Sequence, residues 1–232
     1  MSSTQVIISG YQVAESIYES QKTLVYRALR SRDRLPVILK TLRSEYPAIV
    51  DIARLKHEYE ITKNLDIPGI VQPYNLKTYR HSPLLILEDF GGQALSDLIP
   101  TNSLTLAQCL QIAIQLATTL GQLHQKQIIH KDIKPQNLII NTETEQVKIG
   151  DFSIASQLSK ENPNLNSPNL IEGTLAYMSP EQTGRMNRVL DYRTDFYSLG
   201  VSLYEILTGK LPFSATDAME LVHCHIAKQQ CV

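Results

Sequence analysis

The chain reads as an α+β protein in two parts, a small strand-rich part followed by a larger, mostly helical one, and three observations carry that reading. Residues 11 to 42 are strand-like, with β-branched and aromatic residues in Gln21-Lys22-Thr23-Leu24-Val25-Tyr26 and again in Pro36-Val37-Ile38-Leu39-Lys40. Leu106, Cys109, Leu110, Ala113, Leu116, Ala117, Leu120 and Leu123 form an apolar stripe over roughly five turns, the clearest helix in the sequence. Between these regions, Glu88-Asp89-Phe90-Gly91-Gly92 reads as the connection from one part to the other.

Taken in order, residues 1–10 are a polar lead-in with one short apolar run, Val6-Ile7-Ile8. Ser31-Arg32-Asp33-Arg34 is the turn between the first strands. Ile49, Ile52, Leu55, Tyr59, Thr62 and Leu65 recur at spacings of three and four, which predicts a helix over 48–65 that Pro68-Gly69 stops. Strands follow around Ile70 to Thr78 and Leu84 to Leu87, and Thr105 or Ser103 caps the long helix. Ile128-Ile129, Leu138-Ile139-Ile140 and Val147-Lys148-Ile149 are short buried strands, the last two joined by a turn at Asn141-Thr142-Glu143-Thr144. Residues 158–170, rich in Asn and Pro, read as a surface loop. The expected organisation is a lead-in over 1–10, a small part over 11–88 and a large part over 89–232.

With 232 residues, 43% of them hydrophobic, the chain can bury a substantial core. Its 22 Lys and Arg against 23 Asp and Glu give a net charge of −1, which offers no electrostatic argument for nucleic acid or an anionic membrane. Any charged ligand must be held by a local site. Cys109, Cys224 and Cys231 are too few and scattered for a disulfide framework, and no basic start leads into a long apolar run, so the expected location is cytoplasmic. His223-Cys224-His225 reads as a helix end of mixed burial, since adjacent residues on a helix cannot all face one ion.

The chemistry concentrates in His130-Lys131-Asp132-Ile133-Lys134-Pro135-Gln136-Asn137, followed by Asp151-Phe152-Ser153. An acid that accepts a hydroxyl proton, a lysine aimed at a phosphate, an amide and a second carboxylate for a metal ion are the parts that phosphoryl transfer needs. Transfer of this kind rests on positioning and charge neutralisation rather than covalent chemistry.

These residues resemble the catalytic loop and metal-binding motif of eukaryotic-type (Hanks-type) Ser/Thr protein kinases. Further motifs stand in the family's order: Val37-Ile38-Leu39-Lys40, Glu58 on the next helical stretch, Ser179-Pro180-Glu181, and Asp195 with Gly200. The resemblance implies a bilobal fold, ATP and Mg²⁺ as cofactors, and a protein partner offering a Ser or Thr hydroxyl, in bacterial signalling. It implies catalytic roles for Asp132 and Lys134, nucleotide contacts from Lys40, Glu58, Ile17, Val25, Glu88 and Phe90, and metal binding by Asn137 and Asp151. It gives His130 a structural place near Phe152.

Residues 173–188, 191–200 and 220–227 are similar to the N-terminal kinase domain of large cyanobacterial sensor kinases, in which an ATPase-like region, a GAF domain and a histidine kinase follow. Such sensor or histidine-kinase modules are therefore expected partners. The family pattern continues past the last residues here, so the expected large lobe lacks its last helices and Glu181 lacks the late arginine of the family; the expected associate is either those modules or a partner covering the incomplete part.

Three positions depart from the pattern. Tyr18, Ser20 and Thr23 stand where the family's phosphate loop has glycines, beside the acidic Glu19; Lys131 replaces Arg; Ser153 replaces Gly. An impaired kinase acting as a protein-interaction module is the alternative these departures leave open, and a small-molecule phosphotransferase of similar fold is a third.

Overall fold

The computed structural model describes residues 8–101, 104–158, 173–185, 190–215 and 217–227. Val6, Ile7, the Ser103 cap, residues 159–170 of the expected loop, Met186 to Arg188 and Cys231 lie outside the described residues. The chain divides into two compact units, one made of the residues up to 66 together with 71–91, the other of 67–70 together with those from 92 onward.

In the first unit, β1 (Tyr11–Glu19), β2 (Thr23–Arg30), β3 (Pro36–Leu42), β4 (Pro73–Tyr79) and β5 (Ser82–Glu88) form one antiparallel sheet in the order β1-β2-β3-β5-β4. Side chains alternate across a pleated strand. One face buries Tyr11, Tyr26, Ala28, Val37, Leu39, Leu84 and Ile86, joined by Ile8 from the lead-in, whose carbonyl accepts from the Tyr11 N–H. The other packs Leu42, Leu85 and Leu87 against Leu55 of α1 (Ile49–Thr62). Because β5 is covered on both faces, Ser82 to Leu87 are all buried, and the apolar run Leu84–Leu87 reports that.

The helix ends earlier than its apolar pattern. Leu65 is buried after α1 has ended, in a tight turn where its N–H donates to the Thr62 carbonyl, so the spacing ran on without the helix. The strand expected from Ile70 likewise begins only at Pro73. Residues 67–70 belong to the second unit, where Ile70 bridges Ile149 and the Gly69 carbonyl accepts from the Ile149 N–H at 2.8 Å.

The second unit is built on α3 (Leu106–Gln125), which follows β6 (Gln93–Ala94) and α2 (Leu95–Leu98). Thr105 caps α3 in a reciprocal capping box with Gln108. The buried face is Cys109, Ile112, Leu116, Thr119, Leu120 and Leu123, which corrects the predicted stripe. Leu106 and Leu110, expected in the core, are 66% and 54% exposed, as is Ile114 at 60%. At 100° per residue these three lie about 80 to 160° round the helix from Leu116. The apolar positions of α3 therefore fall on two faces, of which one is buried.

Short strands follow: β7 (Ile128–Ile129) pairs with β10 (Ser156–Gln157), and β8 (Leu138–Asn141) with β9 (Gln146–Ile149). α4 (Arg193–Thr208) buries Thr194, Asp195, Ser198, Leu199, Val201, Ser202 and Ile206. α5 (Ala218–Ala227) exposes His223 but buries Cys224 and His225. Among the described residues no helix is long and apolar enough to cross a membrane.

A Cβ on Gly69 would run into the Thr119 side chain, whereas one on Gly200, inside α4, would meet nothing within 4 Å. Gly69→Ala should therefore cost about 1–3 kcal/mol, and Gly200→Ala should gain about 0.5–1 kcal/mol, read as opposite shifts of the urea midpoint. Burial also pushes the His225 imidazole below its usual pKa. The unfolded chain then takes up that proton first, so the His225 contribution is intact above about pH 6.5 and is lost as pH falls below it. Tm should drop between about pH 7.5 and 5.5, and His225→Asn should flatten that slope.

Candidate active site

The segment from His130 to Asn137 leaves β7 and enters β8 through a 3₁₀ turn at Pro135–Asn137. Ile133 and Pro135 are buried, and polar anchors fix the backbone between them and β7. The first is Asp195, fully buried in the first turn of α4. Its carboxylate accepts the His130 N–H at 2.9 Å and the Lys131 N–H at 2.8 Å, and lies 2.9 Å from His124 Nε2 of α3. The second is His130, whose ring stacks edge-on to Phe152 at 4.7 Å with Nε2 3.0 Å from the Gly150 carbonyl. A third is Gln182, whose amide donates to the Lys131 carbonyl at 2.8 Å. Held this way, Lys131 takes the left-handed region at φ 69°, and Asp151 does so at φ 60°.

Asp132 sits at the centre of the polar cluster. Lys134 Nζ lies 2.7 Å from its Oδ2, and the Asn137 amide donates to its carbonyl at 2.8 Å and its Oδ2 at 3.0 Å. The Thr174 N–H and hydroxyl both donate to Oδ1 at 3.2 Å, and Lys134 Nζ donates to the Thr174 hydroxyl at 2.6 Å. Gly173 takes φ 113°, a backbone conformation that side chains rarely adopt, as the chain passes the Lys131 carbonyl and the Asp132 carboxylate. The Asn137 Nδ2 is committed to Asp132, which leaves its Oδ1 as the acceptor end of the amide. Asp151 follows Gly150, whose N–H donates to the Asn137 carbonyl at 2.8 Å. An amide oxygen and a carboxylate are a hard-oxygen pair suited to Mg²⁺, which takes few protein ligands and keeps several waters.

The first unit holds the other expected residues. Lys40 on β3 and Glu58 on α1 form an ion pair at 2.7 Å, with side chains only 12% and 4% exposed. Val25 faces Lys40 across the β2–β3 register and is half-buried, while Ile17 is 42% exposed beside a register shift in β1. Glu88 is turned toward Gln72, accepting its N–H on Oε1 at 2.7 Å, and Phe90 is half-buried just past β5. The structure thus brings Lys40 to Glu58 within one unit and Asp132, Lys134 and Asn137 together within the other.

The glycine-free turn between β1 and β2 is closed by its own side chains. Ser20 Oγ accepts the Lys22 and Thr23 N–H groups at 3.2 and 2.9 Å, and the Ser20 N–H donates to the Thr23 carbonyl. Glu19 is neutralised by Arg43 at 2.7 Å, and Lys22 reaches Asp51 in the first turn of α1 at 3.0 Å. Glu181 accepts from the Thr194 hydroxyl at 2.9 Å.

The sequence marks Asp195 as part of a motif, but neither its contacts to the loop nor those of Thr174 are legible there. These contacts span 40 to 65 residues, and no local pattern encodes them. Asp195→Asn should destabilise the chain by about 1–3 kcal/mol, because an amide nitrogen cannot accept and leaves a buried loop N–H unpaired. Urea unfolding reads that cost, and faster hydrogen exchange at the His130 or Lys131 amide locates it.

Comparison with known proteins gives a consistent result. A family model described as the protein kinase domain matches residues 11–232. A probable serine/threonine-protein kinase of Clostridium perfringens is 31% identical over 227 residues, covering 97% of this chain and 32% of that protein. The serine/threonine-protein kinase PrkC of Bacillus subtilis is 32% identical over 222 residues, covering 94% of this chain and 34% of its own length. A probable kinase PknB of Bifidobacterium longum is 31% identical over 229 residues, 94% of this chain and 33% of that protein. The chain spans about a third of the length of these relatives.

Proposed function

This chain belongs to the protein kinase family, and on that footing we propose that it transfers the γ-phosphoryl group of ATP, with Mg²⁺, to a serine or threonine hydroxyl of a protein. The observation that carries the reading is the Asp132 carboxylate, held by Lys134, Thr174 and Asn137 with its side chain still 13% exposed.

Asp132 Oδ1 already accepts one hydroxyl, that of Thr174, so it has the position and charge to orient an incoming hydroxyl and take its proton. Lys134, between Asp132 and Thr174, supplies a positive charge where the moving phosphoryl group gathers negative charge. Asn137 and Asp151 would hold Mg²⁺, which when bound neutralises phosphate charge. In the first unit, Lys40 takes the phosphates and Glu58 fixes the ammonium, a role that suits an ion pair so little exposed. Ile17 and Val25 supply apolar contact to the base, and Glu88 and Phe90 flank the backbone that meets its edge. The Arg43 pairing removes the charge objection to Glu19.

The partners are a protein with a Ser or Thr acceptor and, by the likeness to long sensor kinases, signalling modules of the same system in a bacterial cytoplasm. The second reading, an impaired kinase serving as an interaction module, draws on the side-chain-closed turn at Ser20, which withholds some of its backbone N–H groups from a phosphate.

One experiment decides between the two. The chain, its Asp132→Asn variant and its Lys40→Met variant are incubated with labelled ATP, Mg²⁺ and a generic protein acceptor. Transfer should fall about 10²- to 10⁴-fold in Asp132→Asn and be lost comparably in Lys40→Met. Equal label in all three proteins would overturn the catalytic reading in favour of the second.

A further inference from the structure

One guanidinium in the first unit joins segments that the proposed function uses together. Arg27 lies on β2 two residues from Val25, so the two side chains share a sheet face. The register sets Val25 opposite Lys40 and Arg27 opposite Ile38, which places Arg27 on the face that carries Lys40. Its Nε donates to Asp89 Oδ2 at 2.8 Å, and its terminal nitrogen meets Glu15 Oε1 of β1 at 2.7 Å. Glu15 is 55% exposed, but the Asp89 side chain is only 6% exposed.

Asp89 stands between Glu88 and Phe90, and its remaining oxygen accepts the N–H of Gly91 at 2.9 Å. Gly91 adopts φ 74°, a conformation that suits glycine, so the carboxylate sets the turn that follows β5. On the other side, Glu88 is fixed through its N–H and its carboxylate to Gln72. The peptide groups from Glu88 to Gly91 are thus held by Gln72, just before β4, on one side and by Arg27 of β2 on the other.

We propose that Arg27 is a positioning residue for the nucleotide: it fixes the Glu88–Gly91 backbone and β1 relative to Val25 and Lys40, so the surface that receives the base is preformed. The inference rests on the nucleotide-binding reading above. Its physical basis is that a little-exposed carboxylate has to keep its cation, because an unpaired charge in that position is costly. The linker therefore stays where Arg27 is. A guanidinium serves two carboxylates through different nitrogens, and a lysine ammonium offers no such fork.

The test is calorimetric titration of the full chain with Mg·ATP, which needs no turnover. Arg27→Met should raise Kd about tenfold, a loss of about 1.4 kcal/mol, with the fitted stoichiometry unchanged. Arg27→Lys should fall between it and the parent. Asp89→Asn should weaken binding as well, and the double variant Arg27→Met/Asp89→Asn should be no weaker than Arg27→Met alone, because both act through one contact. A purely structural role would lower stoichiometry and leave Kd where it was, and that result would overturn the proposal, as would additive losses in the double variant. If Arg27→Met does not fold, Asp89→Asn and Arg27→Lys carry the same comparison. Binding by the parent with equal Kd in every variant sinks this inference alone. No binding by the parent sinks the nucleotide reading and this inference with it.

Discussion

The candidate catalytic segment depends on one buried charge, the carboxylate of Asp195. A carboxylate with no water contact costs several kcal/mol unless its oxygens are saturated with donors. Here those donors are the His130 and Lys131 N–H groups and the His124 ring. The chain cannot leave that position without uncovering the charge, and Asp132 is the next residue along. The orientation of Asp132 is thus inherited from a side chain on another helix. Around it, Lys134, Asn137 and Thr174 bond one another through Asp132, so the polar groups that would do the chemistry also satisfy one another.

The first unit solves a comparable problem differently. Lys40 is placed by the β3 register and Glu58 by the middle of α1, both fixed by apolar packing of Leu42, Leu55, Leu85 and Leu87. Only the last step, the contact between ammonium and carboxylate, is polar. The turn between β1 and β2 reverses that balance, because it buries little and is held by Ser20 and by the Glu19–Arg43 and Lys22–Asp51 pairs. Surface pairs of this kind contribute about 0–1 kcal/mol each, so the turn is the more adjustable end of the sheet.

Much of this was legible in the sequence, and the boundary of legibility is physical. The two-part α+β architecture, the strand pairs and the cluster from His130 to Asn137 follow from period, turn residues and a dense local motif. The failures came where long-range burial overrode local pattern. Leu65 is buried without being helical, Ile70 belongs to a different unit from the strand it precedes, and Leu106 and Leu110 face away from the core that α3 covers. Each is apolar at a plausible spacing, and spacing alone does not say which neighbour will arrive. The same holds for the site: the residue types of Asp132, Lys134 and Asn137 were readable, but the hydroxyl of Thr174 and the carboxylate of Asp195 reach them only through the folded chain.

The positive φ angles of Lys131 and Asp151 bear on which sequences this architecture can visit. A left-handed backbone costs most L residues about 1–2 kcal/mol and β-branched side chains more, while Gly enters freely and Asn and Asp more readily than the rest. Lys131 can exchange with Arg at no backbone cost, so that departure from the family motif is a short mutational step. Drift to Val, Ile or Thr at either position would have to bend the loop first. The two residues bracketing Asp132, Lys134 and Asn137 are therefore filtered by conformation before chemistry is consulted, which narrows the evolutionary routes by which this segment can lose or regain its present form.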